Sequence, residues 1–115
     1  KKKKFLTLWG TGKVKREIMH VDDLAEACVY FMNKKTKESL INIGVGKDYT
    51  INEYAKRLLK ILNIKAKIKH DLTKPDGIRR KLLDISLAKK YGWKPKVKLN
   101  DGLISVYRKF LKTNC

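Results

Sequence analysis

The chain has 115 residues, of which 29 are Lys or Arg and 11 are Asp or Glu, so its formal net charge is +18. This length allows one domain with a modest core, and an apolar fraction of 43% in periodic runs argues against intrinsic disorder. No apolar run approaches the roughly 20 residues of a membrane span, and no signal-peptide pattern is visible. Cys28 and Cys115 do not make a disulfide framework, so we expect reduced thiols and a cytoplasmic location.

The positive charge predicts attraction to anions, which include nucleic acid, anionic lipid and phosphorylated small molecules. A simpler interpretation is that most lysines only solvate exposed faces, because they fall at the polar positions of amphipathic patterns. Both interpretations stay open at this point.

The first third of the chain predicts two short strands and a helix. Phe5–Trp9 alternates as a strand and is followed by the turn Gly10–Gly12, after which Arg16–Val21 is predicted to form a second strand. Asp22 is predicted to be the N-cap of a helix. The helical spacing gives that helix a buried stripe of Leu24, Ala27, Cys28, Phe31 and Met32. The abrupt opening on a strand suggests that the chain is the tail of a longer protein.

The middle of the chain predicts a buried strand at Leu40–Ile43 and a capping box at Thr50–Glu53 that opens a second helix. Apolar and lysine residues then alternate from Ile64 to Lys69, which is typical of a half-exposed strand. Pro75–Gly77 is a turn signal.

The last third predicts a short helix at Ser86–Tyr91, ended by Gly92, and a final helix at Leu99–Leu111. The buried face of the final helix is predicted to hold Leu99, Leu103, Val106, Tyr107 and Phe110. The whole chain predicts a small mixed α/β unit without the regular strand–helix alternation of a complete doubly wound domain.

Two glycine-lysine pairs invite comparison with a phosphate loop, but neither fits the motif. Asp48 follows Gly46-Lys47, and Val14 follows Gly12-Lys13, where the motif needs serine or threonine. His20 and His70 have no neighbours at metal-ligand spacing, and a structural role is expected for His20. The residues therefore predict no catalytic, cofactor-binding or metal-binding constellation.

An anion-binding constellation is the remaining candidate site. Arg16, Arg80 and Lys81 adjoin apolar or turn residues, and the planar fork of arginine suits bidentate contact with a diphosphate. Trp9 would stack on a base or sugar, and Asp76 would accept hydrogen bonds from hydroxyl groups. The alternatives are that Trp9 is a core residue and Asp76 a plain turn former.

Three segments carry a resemblance to a known family: WGTGKVKREIMHVDDLAEACVYFM, INIGVGKDYTINEYAKRL and KPDGIRRKLLDISLAKKYGWKPKVKL. From about Phe5 to Leu111, the chain resembles the C-terminal part of the GDP-L-fucose synthases, which are 3,5-epimerase/4-reductases of the extended short-chain dehydrogenase/reductase family. The segment REIMHVDD is common to the wider family of nucleotide-sugar enzymes. The segments KPDG and RKLLD, with the tryptophan-led turn, are more specific to the fucose synthases.

The resemblance implies that residues 1–115 are a substrate-binding C-terminal domain. An N-terminal Rossmann domain, absent from the chain, would bind NADP(H) and supply the catalytic residues. Matched by position, Trp9, Arg16 and Asp76 fall on substrate-binding residues of the family, and Arg80 and Lys81 line the same pocket.

The implied partner is a GDP-sugar, and the full-length enzyme is expected to be a homodimer that binds neither nucleic acid nor membrane. Ile78-Arg79 replaces the usual Thr-Pro of the family, which leaves the sugar open. The alternatives are a related enzyme acting on another hexose or heptose, and a basic nucleic-acid-binding module.

Overall fold

The structure is a computed structural model that describes residues 5–114. It confirms the expected small mixed α/β architecture, with strands and helices in the order β1 Phe5–Trp9, β2 Lys15–Arg16, α1 Val21–Met32, β3 Tyr49–Thr50, α2 Ile51–Ile61, β4 Lys67–Asp71, β5 Arg80–Lys81, α3 Ser86–Lys90 and α4 Leu99–Asn114. These elements form two compact units. The first unit holds the chain up to Arg16 together with Tyr49–Lys81, and the second holds Glu17–Asp48 and the chain from Leu82 onward.

In the first unit, β1 and β4 form a parallel pair whose register runs from Phe5 opposite Lys67 to Trp9 opposite Asp71. The predicted strand Phe5–Trp9 is confirmed. The alternating pattern from Ile64 is also confirmed as a strand, although the strand begins later, at Lys67. The Gly10 N–H donates to the Asp71 carbonyl at 2.9 Å, so the turn after Trp9 starts directly at the end of this pair.

A second, three-stranded sheet in the same unit has the order β3-β2-β5, with β2 antiparallel to β3 and parallel to β5. The predicted strand Arg16–Val21 is wrong beyond its first residue, because β2 ends at Arg16. The next residue leaves the ladder. The Glu17 carboxylate accepts hydrogen bonds from the N–H groups of Val45 and Gly46, both at 2.6 Å, and from Leu83 at 3.2 Å.

The capping box that begins α2 is confirmed. Thr50 Oγ1 accepts from the Glu53 N–H at 3.1 Å, and Glu53 Oε1 accepts from the Thr50 N–H at 2.8 Å. These bonds to Thr50 lower the pKa of the Glu53 carboxyl, so it stays ionised at neutral pH. The helix buries Tyr54, whose hydroxyl donates to the Arg16 carbonyl at 2.7 Å and so anchors the central strand β2.

In the second unit, α1 begins at Val21 and its N-cap is His20. The prediction of Asp22 as the cap is wrong, because the extended His20 backbone lets its Nδ1 accept from the Asp22 N–H at 3.0 Å. The structural role expected for His20 is thus confirmed. The neighbouring Asp23 is buried, and its carboxylate accepts from the N–H groups of Lys96 at 3.1 Å and Val97 at 3.0 Å.

Helix α1 turns only part of the predicted stripe inward. Ala27 is fully buried in a cluster with Ala88 and Trp93, and the half-buried Phe31 packs against that cluster. The remaining members of the predicted stripe are exposed, namely Leu24, Cys28 and Met32. The prediction is wrong for these residues because the buried carboxylate of Asp23, one turn before Ala27, sets which side of the helix faces the core.

Two further predictions in the second unit differ from the structure. Leu40–Ile43 is not a strand, because no described strand pairs with it, although Ile41 and Ile43 pack against the cluster around Trp93. The last helix is longer than predicted and runs from Leu99 to Asn114. Leu99 and Leu103 are half-buried, but the predicted burial of three other residues is wrong, since they are exposed: Val106, Tyr107 and Phe110.

The predicted helix at Ser86–Tyr91 is confirmed as α3, and Gly92 follows it with a φ of 93° that glycine adopts without strain. Cys28 is a free, exposed thiol, whereas Cys115 lies outside the described residues. Within residues 5–114, no helix is long and apolar enough to cross a membrane.

Substituting Thr50 by alanine tests the capping box. We expect Thr50→Ala to lower the free energy of unfolding by about 1 kcal/mol, because the first-turn N–H groups of α2 lose an acceptor. Thr50→Ser retains the hydroxyl and is expected to unfold close to the parent chain. Urea unfolding followed by circular dichroism measures both variants, and equal stability of Thr50→Ala and the parent would contradict the role of the cap.

Candidate functional site

All residues of the predicted anion-binding constellation lie in the first unit: Trp9, Arg16, Asp76, Arg80 and Lys81. They come from the end of β1, from β2, from the loop after β4 and from β5. The first unit therefore gathers residues that are up to 72 positions apart in sequence, from position 9 to position 81.

The half-buried Arg16 lies along the loop that precedes β5. Its Nη1 donates to the carbonyls of Ile78 at 2.6 Å and Lys15 at 2.7 Å. Its Nη2 lies 3.5 Å from the point where a Cβ on Gly77 would stand. Both hydrogen bonds that the structure gives this guanidinium within residues 5–114 are made by Nη1, so the Nε and Nη2 edge keeps donors for a ligand.

The register of the three-stranded sheet determines on which sheet face Lys81 and Arg80 lie. Arg16 is the register partner of Lys81 on one side and of Tyr49 on the other. Register partners share a face of a sheet, so Arg16 and Lys81 form a pair of neighbouring cations beside an aromatic ring. Arg80 is the partner of Lys15 and lies on the opposite face.

The Asp76 carboxylate is held by one residue of the turn after Trp9. Its Oδ1 accepts from the Thr11 N–H at 2.6 Å, and its Oδ2 accepts from the Thr11 hydroxyl at 2.9 Å. These two bonds, with smaller contributions from the charges of Lys13 and His70, lower the pKa of the Asp76 carboxyl below its ordinary value of 3.8. The group is therefore an ionised hydrogen-bond acceptor at neutral pH.

Trp9 is an exposed residue with 71% of its surface accessible, so the core alternative for this tryptophan is wrong. The second tryptophan of the chain, Trp93, has the core role instead and is 3% exposed. The Lys74 ammonium lies 5.0 Å from the centroid of the Trp9 ring, within range of a cation–π contact. The indole face is thus presented on the surface of the first unit, where a planar group can stack.

Sequence reasoning missed Thr11 and Tyr54, which fix Asp76 and the Arg16 backbone. The only sequence signal for Thr11 was its place between two glycines, which is also the pattern of an ordinary turn. Tyr54 lies in the predicted second helix, and nothing in the helical pattern indicates a hydrogen bond to a residue 38 positions away.

The second glycine-rich turn, in the second unit, is occupied by a side chain of the chain itself. The Glu17 carboxylate takes the N–H groups of Val45 and Gly46, and a Cβ on Gly44 would stand 2.7 Å from Glu17 Oε2. Such a turn can bind an anion through its backbone, and here the anion is internal. Within residues 5–114, no group of His, Cys, Asp and Glu side chains is arranged to hold a metal ion.

Comparison with known proteins gives matches over almost the whole chain. Residues 1–44 match the NAD dependent epimerase/dehydratase family. GDP-L-fucose synthase 1 of Arabidopsis thaliana is 44% identical over 110 residues, which are 96% of this chain and 34% of the plant protein. The chain therefore spans about a third of the length of the curated relatives that it matches.

Two solved structures from Campylobacter jejuni have the same fold over the matched part. A GDP-6-OMe-4-keto-L-xylo-heptose reductase superposes with a TM-score of 0.86 at 36% identity, over 96% of this chain and 35% of the reductase. A GDP-mannoheptose C4 reductase with NADP bound superposes with a TM-score of 0.81 at 35% identity, over 94% of this chain and 35% of that protein. The resemblance predicted from the sequence is therefore confirmed: the chain is similar to about a third of a GDP-L-fucose synthase.

Proposed function

We propose that this chain is the GDP-sugar-binding, C-terminal part of an extended short-chain dehydrogenase/reductase. The parent enzyme would convert GDP-4-keto-6-deoxy-mannose by 3,5-epimerisation and 4-reduction. The observation that carries the proposal is the pair of Arg16 and Lys81 on one sheet face, in a chain 44% identical to a GDP-L-fucose synthase. Because the chain spans about a third of such enzymes, the activity belongs to a longer protein.

The proposed role of the site is to hold the nucleotide sugar while the chemistry takes place elsewhere. The guanidinium of Arg16 and the ammonium of Lys81 neutralise the diphosphate, and the Arg16 fork suits bidentate contact with it. Trp9 stacks on the base or the sugar, and Asp76 accepts hydrogen bonds from hydroxyl groups. These contacts supply binding energy and orientation, which keep the sugar in place as its ring changes configuration.

The cofactor of the parent enzyme is proposed to be NADP(H), since one structural relative is a C4 reductase with NADP bound. The glycine turns described here do not fit a dinucleotide, because Asp76 and Glu17 already take N–H groups of those turns. We therefore assign cofactor binding and the catalytic residues to a Rossmann domain outside residues 1–115. We also propose that the parent enzyme is a cytoplasmic homodimer.

A second candidate is the same reaction class on a different sugar. The heptose reductase superposes with a TM-score of 0.86 at 36% identity, so a heptose substrate is compatible with this backbone. Ile78 and Arg79 lie in the loop before β5, and Arg16 contacts the Ile78 carbonyl. A change of sequence at these two positions therefore changes the surface next to Arg16. A basic nucleic-acid module is disfavoured, because the relatives are nucleotide-sugar enzymes.

A pair of chimeric enzymes tests the proposal. The matched third of Arabidopsis GDP-L-fucose synthase 1 is replaced by this chain in one chimera, and that of the Campylobacter heptose reductase in the other. Each is assayed with GDP-4-keto-6-deoxy-mannose and with the heptose substrate of the reductase. We expect the first chimera to form GDP-L-fucose from the deoxymannose substrate, because the inserted chain supplies the site that holds it.

The two parent enzymes serve as controls for folding and cofactor binding. If both chimeras turn over the heptose better than the deoxymannose, the second candidate replaces the first. GDP-sugar binding by this chain would be contradicted if the chimeras give the circular dichroism spectrum of a folded protein and bind NADPH, but do not bind GDP-mannose in calorimetry.

Replacing Arg16 by alanine is expected to raise KM for the GDP-sugar in the active chimera by about 10- to 100-fold. This corresponds to losing a charge-assisted contact of about 1.5–3 kcal/mol. The value of kcat is expected to change much less, because Arg16 is assigned to binding and not to proton transfer. Arg108→Ala, which removes an exposed arginine from α4, is the matched control and should leave KM unchanged. An unchanged KM in Arg16→Ala would remove Arg16 from the site.

A further inference from the structure

The turn Gly10–Gly12 is fixed on two sides within the first unit. On one side, Thr11 donates both its N–H and its hydroxyl to the Asp76 carboxylate, at 2.6 and 2.9 Å. On the other side, the Asn52 amide donates to the Thr11 carbonyl at 3.3 Å, and the Asn52 N–H donates to the Gly12 carbonyl at 3.0 Å. The turn therefore joins the loop before β5 to the start of α2.

The glycines of this turn are shaped around those partners. Gly10 has a φ of 76°, and a Cβ there would stand 2.2 Å from Asp76 Oδ1. Gly12 has a φ of 72°, and a Cβ there would stand 2.0 Å from Asn52 Oδ1. Side chains at either position would push away the Asp76 carboxylate or the Asn52 amide, so the close approach depends on glycine.

The loop before β5, residues 72–79, is held at two points in its second half. Thr11 holds Asp76, and Arg16 Nη1 holds the Ile78 carbonyl at 2.6 Å. Gly77 lies between these two ties with a φ of 79°. Since Trp9 immediately precedes the turn and Lys81 follows the loop, the Thr11–Asp76 contact links the aromatic wall of the site to its cations.

We propose that Thr11 is a positioning residue of the GDP-sugar site, whose hydroxyl and N–H hold the Asp76 carboxylate and, through it, the segment 76–81 in a binding-ready arrangement. This inference rests on the proposed function. Thr11 uses one acceptor position on each carboxylate oxygen, and each oxygen retains another for a ligand hydroxyl. A carboxylate already held in one orientation loses less conformational freedom when the ligand binds.

The test compares Thr11→Val with Thr11→Ser in the first chimera described above, in which this chain replaces the matched third of the Arabidopsis enzyme and which serves here as the parent. Valine keeps the β-branched shape but removes the hydroxyl, whereas serine keeps the hydroxyl. We expect Thr11→Val to weaken GDP-mannose binding in calorimetry by about 5- to 20-fold, since one hydrogen bond to a charged group is lost. Thr11→Ser should stay within about twofold of the parent, because the lost methyl makes no hydrogen bond. Thr7→Val, at an exposed threonine of β1, is the matched control.

Amide hydrogen exchange of the ligand-free chimera gives a readout that does not depend on GDP-mannose. The Thr11 and Gly77 amides are expected to exchange faster in Thr11→Val than in the parent and in Thr7→Val. A double variant with Asp76→Asn should lose less affinity than the sum of the two single losses, because both changes break the same contact. If Thr11→Val does not fold, Thr11→Ala, which also removes the hydroxyl, carries the same two measurements.

The outcomes separate this inference from the proposed function. If the parent chimera binds GDP-mannose and Thr11→Val binds equally well, the positioning role is overturned while the proposed function stands. If Thr11→Ser loses as much affinity as Thr11→Val, the hydroxyl is not the cause and the inference also fails. If the folded, NADPH-binding chimera does not bind GDP-mannose but exchange at Gly77 still responds to Thr11→Val, the proposed function fails and the contact is structural only.

Discussion

The central strand of the small sheet in the first unit is only Lys15–Arg16, and the arrangement of the site depends on it. Tyr54 fixes the backbone of this strand through a 2.7 Å hydrogen bond from its hydroxyl to the Arg16 carbonyl. The side chain of Arg16 also fixes the loop before β5, because it donates a hydrogen bond to the Ile78 carbonyl. Arg16 therefore connects a buried tyrosine, a sheet and a surface loop. Because the fold holds its guanidinium in place, that group would lose little conformational entropy in the proposed contact with a ligand.

The elements that the sequence predicted well are those specified by neighbouring residues. The capping box at Thr50 and Glu53 needs only four consecutive positions, and both of its hydrogen bonds are present. The helix end at Gly92 is likewise a local property of the backbone. The strand predicted at Leu40–Ile43 failed for the opposite reason, since an apolar run becomes a strand only when another strand pairs with it.

Hydrophobic periodicity identified the apolar residues of each helix but did not show which of them are buried within residues 5–114. In α1, the core-facing side is set by Ala27 and by the buried carboxylate of Asp23, which binds two N–H groups near position 96. No periodicity rule predicts an acidic residue in that role, because burying a carboxylate is costly unless distant N–H groups satisfy it. The candidate site shows the same limit. Arg16 and Asp76 were visible as residue types, whereas Thr11 acquired its meaning only from a contact across 65 positions.

The net charge of +18 explains attraction to anions but not where an anion binds. The two glycine-rich turns are the backbone features best suited to that task, and each already holds a carboxylate of its own unit. Asp76 takes the Thr11 N–H, and Glu17 takes those of Val45 and Gly46. An external diphosphate would have to displace one of these carboxylates, at the cost of the hydrogen bonds that it accepts. Side-chain cations are therefore the better candidate partners. The sheet aligns Arg16 with Lys81 on one face and Lys15 with Arg80 on the other, and the first pair has Tyr49 as its aromatic neighbour.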